Sequence, residues 1–548
     1  MFERFNKRLR PIAIARFIDY VCRHDILPVM INKFQSSCAI AFFVLLISGC
    51  SKKDQPPTPP AVEEKTFTRF EFHMQDNEPV LQDIESTMIA DTIYATTFSG
   101  TDVSQLKPSF DFKGKSVAVS GTVQTSEKDA QNFSKPVAYT ITGNDGSTKT
   151  YYVKLEDTHL PAIYISTGNV PITSKETYIT GSMWIAGSIA GDTLYNGTLQ
   201  IRGRGNSTWE MPKKPYKVKL DKKFGLLGMS SDKDWALIAN YGDLSLMRNE
   251  IAYELSRRLN EPFTVADKYV DVILNGEYEG NYQLTQTIDV SSSKVDIDKQ
   301  TNAMTTEPDI SGGYLLEVDG YAATEPIHFY TPAGLGITVH YPDDDDINTA
   351  QVNYITGYYT NFENALFADN FKDSADGYQK YLDVPTFINT YMVNEIIANS
   401  DLFWSTYQYK KRNDPKIYTG PVWDFDLAAN DDSRLGNSVN KMMIDAGQQP
   451  RKWMNRLMED PAFRHAMRDH WNAIKGSVGD MDALIDKIAA QLASSQKANF
   501  KKWDILNQII HLNLVAPGSY DVEVANLKTY LTTRIPWLDT QFNSSRFD

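Results

Sequence analysis

From Thr66 to Leu155 apolar and polar residues alternate in short runs, as in FTRFEFHM and SVAVSGTVQT, with turn residues between them. A period of two buries one face of a strand, so this block is predicted to be all-β. VAYTIT and TKTYYVKL flank Gly143-Asn144-Asp145-Gly146. Asp-Gly between alternating runs predicts a hairpin, because glycine accepts the positive φ of a tight turn. From Pro161 strand-like runs continue in AIYIST, ETYITGSMWIAG, GTLQIRGRG and PYKVKL. The period then changes. Leu244, Met247, Ile251, Leu255 and Leu259 recur at helical spacing and predict a helix over 242–260, with Asp243 as its cap. VDVILNGEYEGNYQLTQTI predicts a hairpin over Asn275-Gly276, and GGYLLEVDGY a further strand. After about residue 347 helical spacing dominates, in QVNYITGYYTNFENALF, VPTFINTYMVNEIIA, RKWMNRLMED and MDALIDKIAAQLASSQKANFKKW.

These runs divide the chain. Residues 65–157 have the size and patterning of an immunoglobulin-like β-sandwich. The block is similar to the Ig-like modules between anchor and payload in surface lipoproteins, and it reads as a spacer or as a ligand-binding module. Residues 161–540 place strands and one helix first and mostly helices afterwards, the order of an α+β fold with two lobes.

The start of the chain reads as a targeting segment, residues 1–49. Lys33 precedes an apolar run, Ala39 to Ile47, that is too short to span a bilayer and suits the core of a signal peptide. Leu46-Ile47-Ser48-Gly49-Cys50 resembles a bacterial lipobox, which implies cleavage before Cys50 and acylation of its thiol. Arg8, Arg10, Arg16 and Arg23 lie ahead of a signal of ordinary proportions that begins at Met30, so Met30 is the expected start. Residues 50–64, CSKKDQPPTPPAVEE, comprise the lipidation cysteine and a polar, Pro-rich linker. The three cysteines all fall at or before Cys50, so a processed chain has no disulfide, thiol nucleophile or Cys-bound metal. The net charge of −14 argues against nucleic acid as a partner. The expected location is the bacterial cell envelope, lipid-anchored at the outer membrane, in the periplasm or on the cell surface.

Candidate chemistry centres on acidic residues. Asp401 ends the helical pattern NEIIANSD, and 23 positions later stands Trp423-Asp424-Phe425-Asp426. This layout is similar to that of protein kinases, where a catalytic-loop Asp accepts the substrate proton and a D-F-G Asp binds magnesium. Such chemistry also needs a phosphate cradle, a lysine on the phosphates and a carboxylate to orient it. Gly203-Arg204-Gly205 follows a strand and suits either a phosphate cradle or a plain hairpin. Lys214, Lys217 and Lys219 follow, with Lys217 and Lys219 on one side of a strand, at a phosphate or on a solvated edge. Glu250 borders the apolar face of the 242–260 helix and is a candidate partner for a lysine. Asp424, framed by Trp423 and Phe425, needs a cation, an arginine or backbone donors beside it. Asp426 falls on the same side at strand spacing, as a two-carboxylate metal site requires. The acidic run Asp343 to Asp346 lacks the ligand spacing of an EF-hand and reads as a loop leading into a helix. No H-x-x-x-H pair and no G-x-S-x-G is present.

Taken together, IRGRGNSTWEMPKKPYKVKLDKK, LLGMSSDKDWALIANYGDLSLMRNEIAYELSRRL, VILNGEYEGNYQLTQTI, NSD and PVWDFD resemble the CotH family of spore-coat-type atypical protein kinases, over roughly 161–540. The resemblance implies a divergent two-lobed kinase-like fold that transfers phosphate from ATP, with Mg²⁺ or Mn²⁺, to Ser or Thr of a protein partner. It gives Asp401 the role of base, Asp424 with Asp426 that of metal ligand, and Lys217 the phosphate contact. Gly203, Arg204, Gly205, Lys214, Lys219 and Glu250 would surround the nucleotide. Kinase catalytic loops place a metal-binding Asn five residues after the base; here that position is Thr406. Either Asp426 substitutes for it, or the domain is a non-catalytic surface binding or assembly protein of pseudokinase type.

Overall fold

The computed structural model describes residues 64–77, 82–187, 194–448 and 451–548. Cys50, the signal region and the linker up to residue 63 lie outside the described residues. Among the described residues no helix is long and apolar enough to cross a membrane.

The first module contains β1 (Thr66–Phe72), β2 (Ile84–Ile89), β3 (Thr92–Thr97), β4 (Ser109–Lys113), β5 (Ser116–Val119), β6 (Thr122–Val123), β7 (Val137–Thr142) and β8 (Thr148–Asp157). They pair in the single order β4-β1-β2-β3-β8-β7-β5-β6, with β3 and β8 parallel. Strands four places apart in a flat sheet would stand roughly 19 Å apart, at about 4.8 Å per step. Yet Phe67 and Phe70 of β1 meet Tyr139 of β7 at ring-centroid distances of 6.3 and 5.2 Å. The sheet therefore doubles back on itself into two layers around an aromatic core. The expected hairpin joins β7 to β8, with Gly146 at φ +77°.

The module is built against the next domain. Phe98 stacks on Tyr278 with centroids 4.4 Å apart. Ser99 Oγ donates to the Leu160 carbonyl at 2.7 Å, and the Tyr164 hydroxyl donates to the Ser99 carbonyl at 2.9 Å. Gly100 is at φ +92°, and a Cβ there would lie 2.6 Å from that of Ala186, so no larger residue fits this junction.

A closed barrel follows: β9 (Ala162–Ser166), β10 (Ile179–Ala186), β11 (Asn196–Gly203), β12 (Tyr216–Phe224), β13 (Asp232–Ile238), β14 (Asp267–Leu274) and β15 (Glu277–Gln286), in the order β10-β11-β12-β13-β15-β14-β9. Pairing of β14 with β9, in parallel, closes it. Ile163, Leu199, Ile201, Val218, Leu220, Trp235, Val270 and Leu284 fill the interior. The hairpin over Asn275-Gly276 is present, with both residues at positive φ, as a type I′ turn requires.

Between β13 and β14 lies α1 (Arg248–Arg258), which starts six residues later than the spacing predicts. Leu246 adopts φ +62°, so 243–247 is a turn. Asp243 does cap, but from within that turn: its carboxylate accepts the Ser245 and Arg248 amides at 2.9 and 2.8 Å.

The remainder holds α2 (Thr349–Phe367), α3 (Val384–Ile396), α4 (Pro461–Ile474), α5 (Met481–Leu492), α6 (Ser495–Lys502) and α7 (Tyr520–Phe542). They pack around a five-stranded sheet of β16 (Tyr314–Asp319), β17 (His328–Tyr330), β18 (Gly336–Tyr341), β19 (Ser405–Lys410) and β20 (Ile417–Thr419). The acidic run leads into α2, whose Asn348 and Gln351 form a capping box. The predicted 481–503 helix divides at Ala493-Ser494, and α6 then meets the barrel: Ser495 Oγ donates to Asp271 at 2.7 Å.

One buried cation ties this part together. Arg534 of α7 is wholly buried. It donates to the Glu395 carboxylate at 2.7 Å, the Glu395 carbonyl at 2.7 Å and the Ser438 carbonyl at 2.8 Å. Removing one member of a buried pair leaves an uncompensated charge, at a cost of about 3–5 kcal/mol. Arg534→Met should therefore lower unfolding stability by about that amount in a denaturant titration. Adding Glu395→Gln should restore part of the loss, since the two residues share one interaction.

Candidate active site

The floor of the site is laced from three segments. Asn399 is the splice between two of them: its Oδ1 accepts the Asp401 amide at 3.1 Å, and its Nδ2 donates to the Asp424 carbonyl at 3.4 Å. The start of α1 is the third. Asn249 Oδ1 accepts the Phe425 amide at 3.0 Å, and Arg248 Nε donates to the Ala428 carbonyl at 2.8 Å. Arg248 is itself fixed by Asp243 at 2.6 Å, Glu523 at 2.7 Å and Asp431 at 3.7 Å. Its charge offsets carboxylates that would otherwise be costly to bury. Asn399 lies in the NSD motif and Arg248 and Asn249 in the LMRNE stretch, yet the sequence alone gives none of the three a role.

On this scaffold Asp424 takes φ +68°, a left-handed backbone that Asp tolerates better than most residues. Asp424 and Asp426 line a cleft between barrel and helical part. Crowding by protein around the floor, and after it the charge of Asp401, raises the Asp424 carboxyl to about 6, while Arg204 pulls the other way. The Asp424 side chain faces the open cleft, so solvent tempers the crowding. Asp426 is pushed well above the usual carboxylate range, by burial first and then by the charges of Asp424, Asp243, Asp401 and Asp431. Among the described residues, neither the Asp424 nor the Asp426 carboxylate accepts a hydrogen bond or forms an ion pair. Asp401 stands close enough for its charge to act on both, and it is paired with Arg434 at 2.8 Å.

Arg204 is the cation of the cleft. Its guanidinium lies over the Trp423 ring, 5.4 Å from the centroid. Among the described residues it has no hydrogen-bond acceptor and no carboxylate within ion-pair distance, and burial lowers its pKa. Gly203 and Gly205 shape its loop. A Cβ on Gly203 would lie 2.3 Å from the Trp209 ring, and one on Gly205, at φ +84°, 2.2 Å from Thr208 Oγ1. Close packing, as well as backbone approach to a ligand, thus accounts for both glycines.

The lysines are placed otherwise than predicted. Lys217 and Lys219 alternate with inward-facing Tyr216, Val218 and Leu220 on β12, so they point away from the barrel interior and are not in the cleft. Lys217 pairs with Asp234 at 3.6 Å. Lys214 donates to the Trp209 carbonyl at 2.6 Å and lies over that indole. The lysine that lines the cleft is Lys213, one residue ahead of the predicted set. It donates to the Ala239 carbonyl at 2.7 Å, to Asn499 Oδ1 at 2.9 Å and to the Asn281 carbonyl, which uses all three of its protons. Burial lowers its pKa to about 7. Glu250 meets no lysine: it accepts from Arg257 at 3.0 Å, and burial followed by Asp267 raises it to about 9. Thr406 lies in β19 opposite Val318 and donates to the Leu402 carbonyl. After a turn over 401–404 the chain enters β19 at Ser405, so counting five residues onward from Asp401 lands in a strand and does not reach a metal ligand.

Among the described residues no group of three or more His, Cys, Asp or Glu side chains is arranged to hold a metal ion. Mg²⁺ needs only one or two carboxylates when phosphates and waters complete its shell. Two carboxylates without protein donors, facing an unpaired guanidinium, fit a metal–phosphate ligand in that way.

The sequence profile described as "CotH kinase protein" matches residues 201–538, and the one described as "SGBP, N-terminal" matches 72–155. No curated protein matches the chain. Among solved structures, one titled a "putative glycoside hydrolase" from Bacteroides thetaiotaomicron is 16% identical, with a TM-score of 0.15. The match covers 40% of this chain and 55% of that one, so it spans little over half of its length.

The raised carboxyls fix how stability depends on pH. A carboxyl raised on folding favours the native state most when protonated, so stability falls as pH rises from about 4 through about 6 and beyond. Asp426→Asn should flatten that dependence and raise the metal-free melting midpoint at pH 8 by about 2–4 °C. A variant that melts below the parent at pH 8 would show that the charge is compensated.

Proposed function

The chain belongs to the CotH kinase protein family, and on that premise we propose that it transfers the terminal phosphate of ATP to a Ser or Thr hydroxyl of a protein partner. The observation that carries this reading is the pairing, across one cleft, of an unpaired Arg204 guanidinium with the partnerless carboxylates of Asp424 and Asp426. A triphosphate with its divalent cation supplies what each side lacks.

In this reading Asp424 and Asp426 would hold Mg²⁺ or Mn²⁺, which would supply neutralisation of phosphate charge, and Arg204 takes phosphate oxygens through its planar fork. The acceptor hydroxyl oxygen bonds to the terminal phosphorus as the bond to the bridging oxygen breaks, and ADP departs. Asp401 takes the hydroxyl proton. Arg434, paired with Asp401 at 2.8 Å, fixes the direction in which that carboxylate points. Lys213, with all its protons spent, joins the barrel to α6 and sets the cleft wall. The kinase-like two-lobed description is part of this proposal: the barrel supplies Arg204, and the helical part supplies the aspartates.

The Asp401–Arg434 pair also favours a second reading. A carboxylate held in an ion pair has less freedom to accept a proton, and a surface binding or assembly protein needs no base at all. For placement, we propose that the lipobox-like Leu46–Cys50 leads to an acylated Cys50 and a bacterial envelope anchor.

Purified protein with γ-labelled ATP and Mn²⁺ or Mg²⁺ should label itself or a Ser-rich protein. Asp401→Asn should reduce the rate by about 10²–10³, the usual size of one transition-state contribution. Asp424→Ala and Arg204→Ala should remove the ATP–Mn²⁺ stabilisation seen in a thermal melt, and Lys217→Ala should leave it intact. Tight binding of ATP without labelling would favour the second reading; neither binding nor labelling would rule out phosphoryl transfer.

A further inference from the structure

A second pocket, of about 170 Å³ and apart from the cleft, opens where α1 ends. A cavity of about 150 Å³ is enough to bind a molecule the size of benzene. Glu261 lines it and is nine-tenths buried, with 9% of its surface exposed. One carboxylate oxygen, Oε1, accepts from Thr390 Oγ1 at 2.9 Å. The other, Oε2, is buried without a hydrogen-bond partner. It faces Gly420, whose added Cβ would stand 3.2 Å from it. A carboxylate oxygen buried without a donor costs free energy that a ligand donor would recover.

The surrounding charges select the ligand. Lys294 lies in the pocket wall, but its proton donors go to Asp232 and to Thr287 Oγ1, the latter at 2.9 Å. Lys411 at the rim lies over the Tyr418 ring, 4.4 Å from its centroid. Asp296 adds a second carboxylate at the rim. Behind Glu261, burial is the larger effect on its carboxyl, and the side chains of Thr390 and Asn389 oppose it as hydrogen-bond donors, while Asn389 Oδ1 meets the His470 ring nitrogen at 2.9 Å. No cation thus compensates Glu261, and Phe263 supplies an aromatic wall of the kind that attracts cations, while the Tyr409 ring already has Lys411 Nζ 5.9 Å from its centroid. An anion would meet Glu261 head on.

We propose that this pocket binds a primary ammonium group on an apolar stem, with Glu261 as its counter-charge and Phe263 and Tyr409 beside the stem. A free alkylamine and the lysine side chain of a partner share that chemistry. The site is independent of phosphoryl transfer, and its occupancy is read without any activity assay.

The test is calorimetric titration of the full chain with n-butylammonium chloride, with n-butanol and sodium chloride as controls. Burial raises the Glu261 carboxyl to about 8. Affinity for butylammonium should therefore rise several-fold from pH 6.5 to 7.5 and level off above about 8, because the ammonium binds the ionised form. Glu261→Gln should weaken binding at pH 8.5 by about tenfold and abolish the pH dependence, with an unchanged far-ultraviolet dichroism spectrum. Phe263→Leu keeps the carboxylate and should cost several-fold in affinity, so the proposal stays testable if the Gln variant fails to fold. A lysine-containing peptide that outbinds butylammonium, and loses binding when acetylated, identifies a partner's lysine; equal or weaker binding identifies a free amine. No saturable binding at pH 8.5, equal binding of butanol, or competition by sodium at equal concentration overturns the proposal.

Discussion

Like charges held together at one cleft floor are the constraint on which the rest of this domain depends. The charge of Asp401 raises the affinity of Asp424 and Asp426 for protons, Asp424 adds to it at Asp426, and no protein donor relieves either of the two. Left to itself such a set would spread apart or protonate. The fold prevents spreading by fixing main chain rather than side chains. Asn399 grips the Asp401 amide and the Asp424 carbonyl, Asn249 grips the Phe425 amide, and Arg248 grips the Ala428 carbonyl. The carboxylates stay free because their backbones are not. Holding Asp424 at positive φ belongs to the same arrangement, since strain at a site persists only where its surroundings over-determine it.

Cations are distributed by the same logic. Arg248 and Arg534 are buried, fully bonded and structural. Lys213 lines the cleft yet spends every proton on the protein, with its charge weakened by burial. Arg204 alone among the cleft cations is unspent. Its Trp423 contact orients the guanidinium without consuming a donor, so the stacking fixes direction and leaves hydrogen bonding for a ligand. This separation of structural from available charge locates the site more sharply than net charge does, because the chain as a whole is strongly acidic.

The sequence was legible where one local rule governs. Period-two alternation placed the strands, and Asn275-Gly276 placed its turn. Asp424 and Asp426 stood out because acidic residues framed by Trp and Phe are rare without a role. Legibility failed where the outcome depends on distant chain. Lys217 and Lys213 are chemically alike in a row of lysines, and only the inward demand of Tyr216 and Val218 decides which of them leaves the cleft. Glu250 borders an apolar face as expected, but Arg257 on the next turns of its own helix reaches it before any lysine can. The count from Asp401 to Thr406 assumed a loop, whereas pairing of β19 with β16 had already claimed that residue. Closure of the barrel rests on a parallel pair more than 100 residues apart in sequence, Asp271 with Ala162, which no local pattern encodes.

The N-terminal module takes its meaning from how it joins that barrel. A free spacer needs a flexible connection, yet β8 ends at Asp157 and β9 begins at Ala162. Over that short span Ser99 bonds across to Leu160 and Tyr164, and Gly100 admits no side chain. Phe98 then rests on Tyr278, whose hydroxyl donates to Asp271 at 2.8 Å. Asp271 accepts Ser495 of α6, and α6 also carries Asn499, the acceptor of Lys213 in the cleft wall. Each link is a packed or hydrogen-bonded contact with little room to slide, so the module and the cleft wall share one rigid frame.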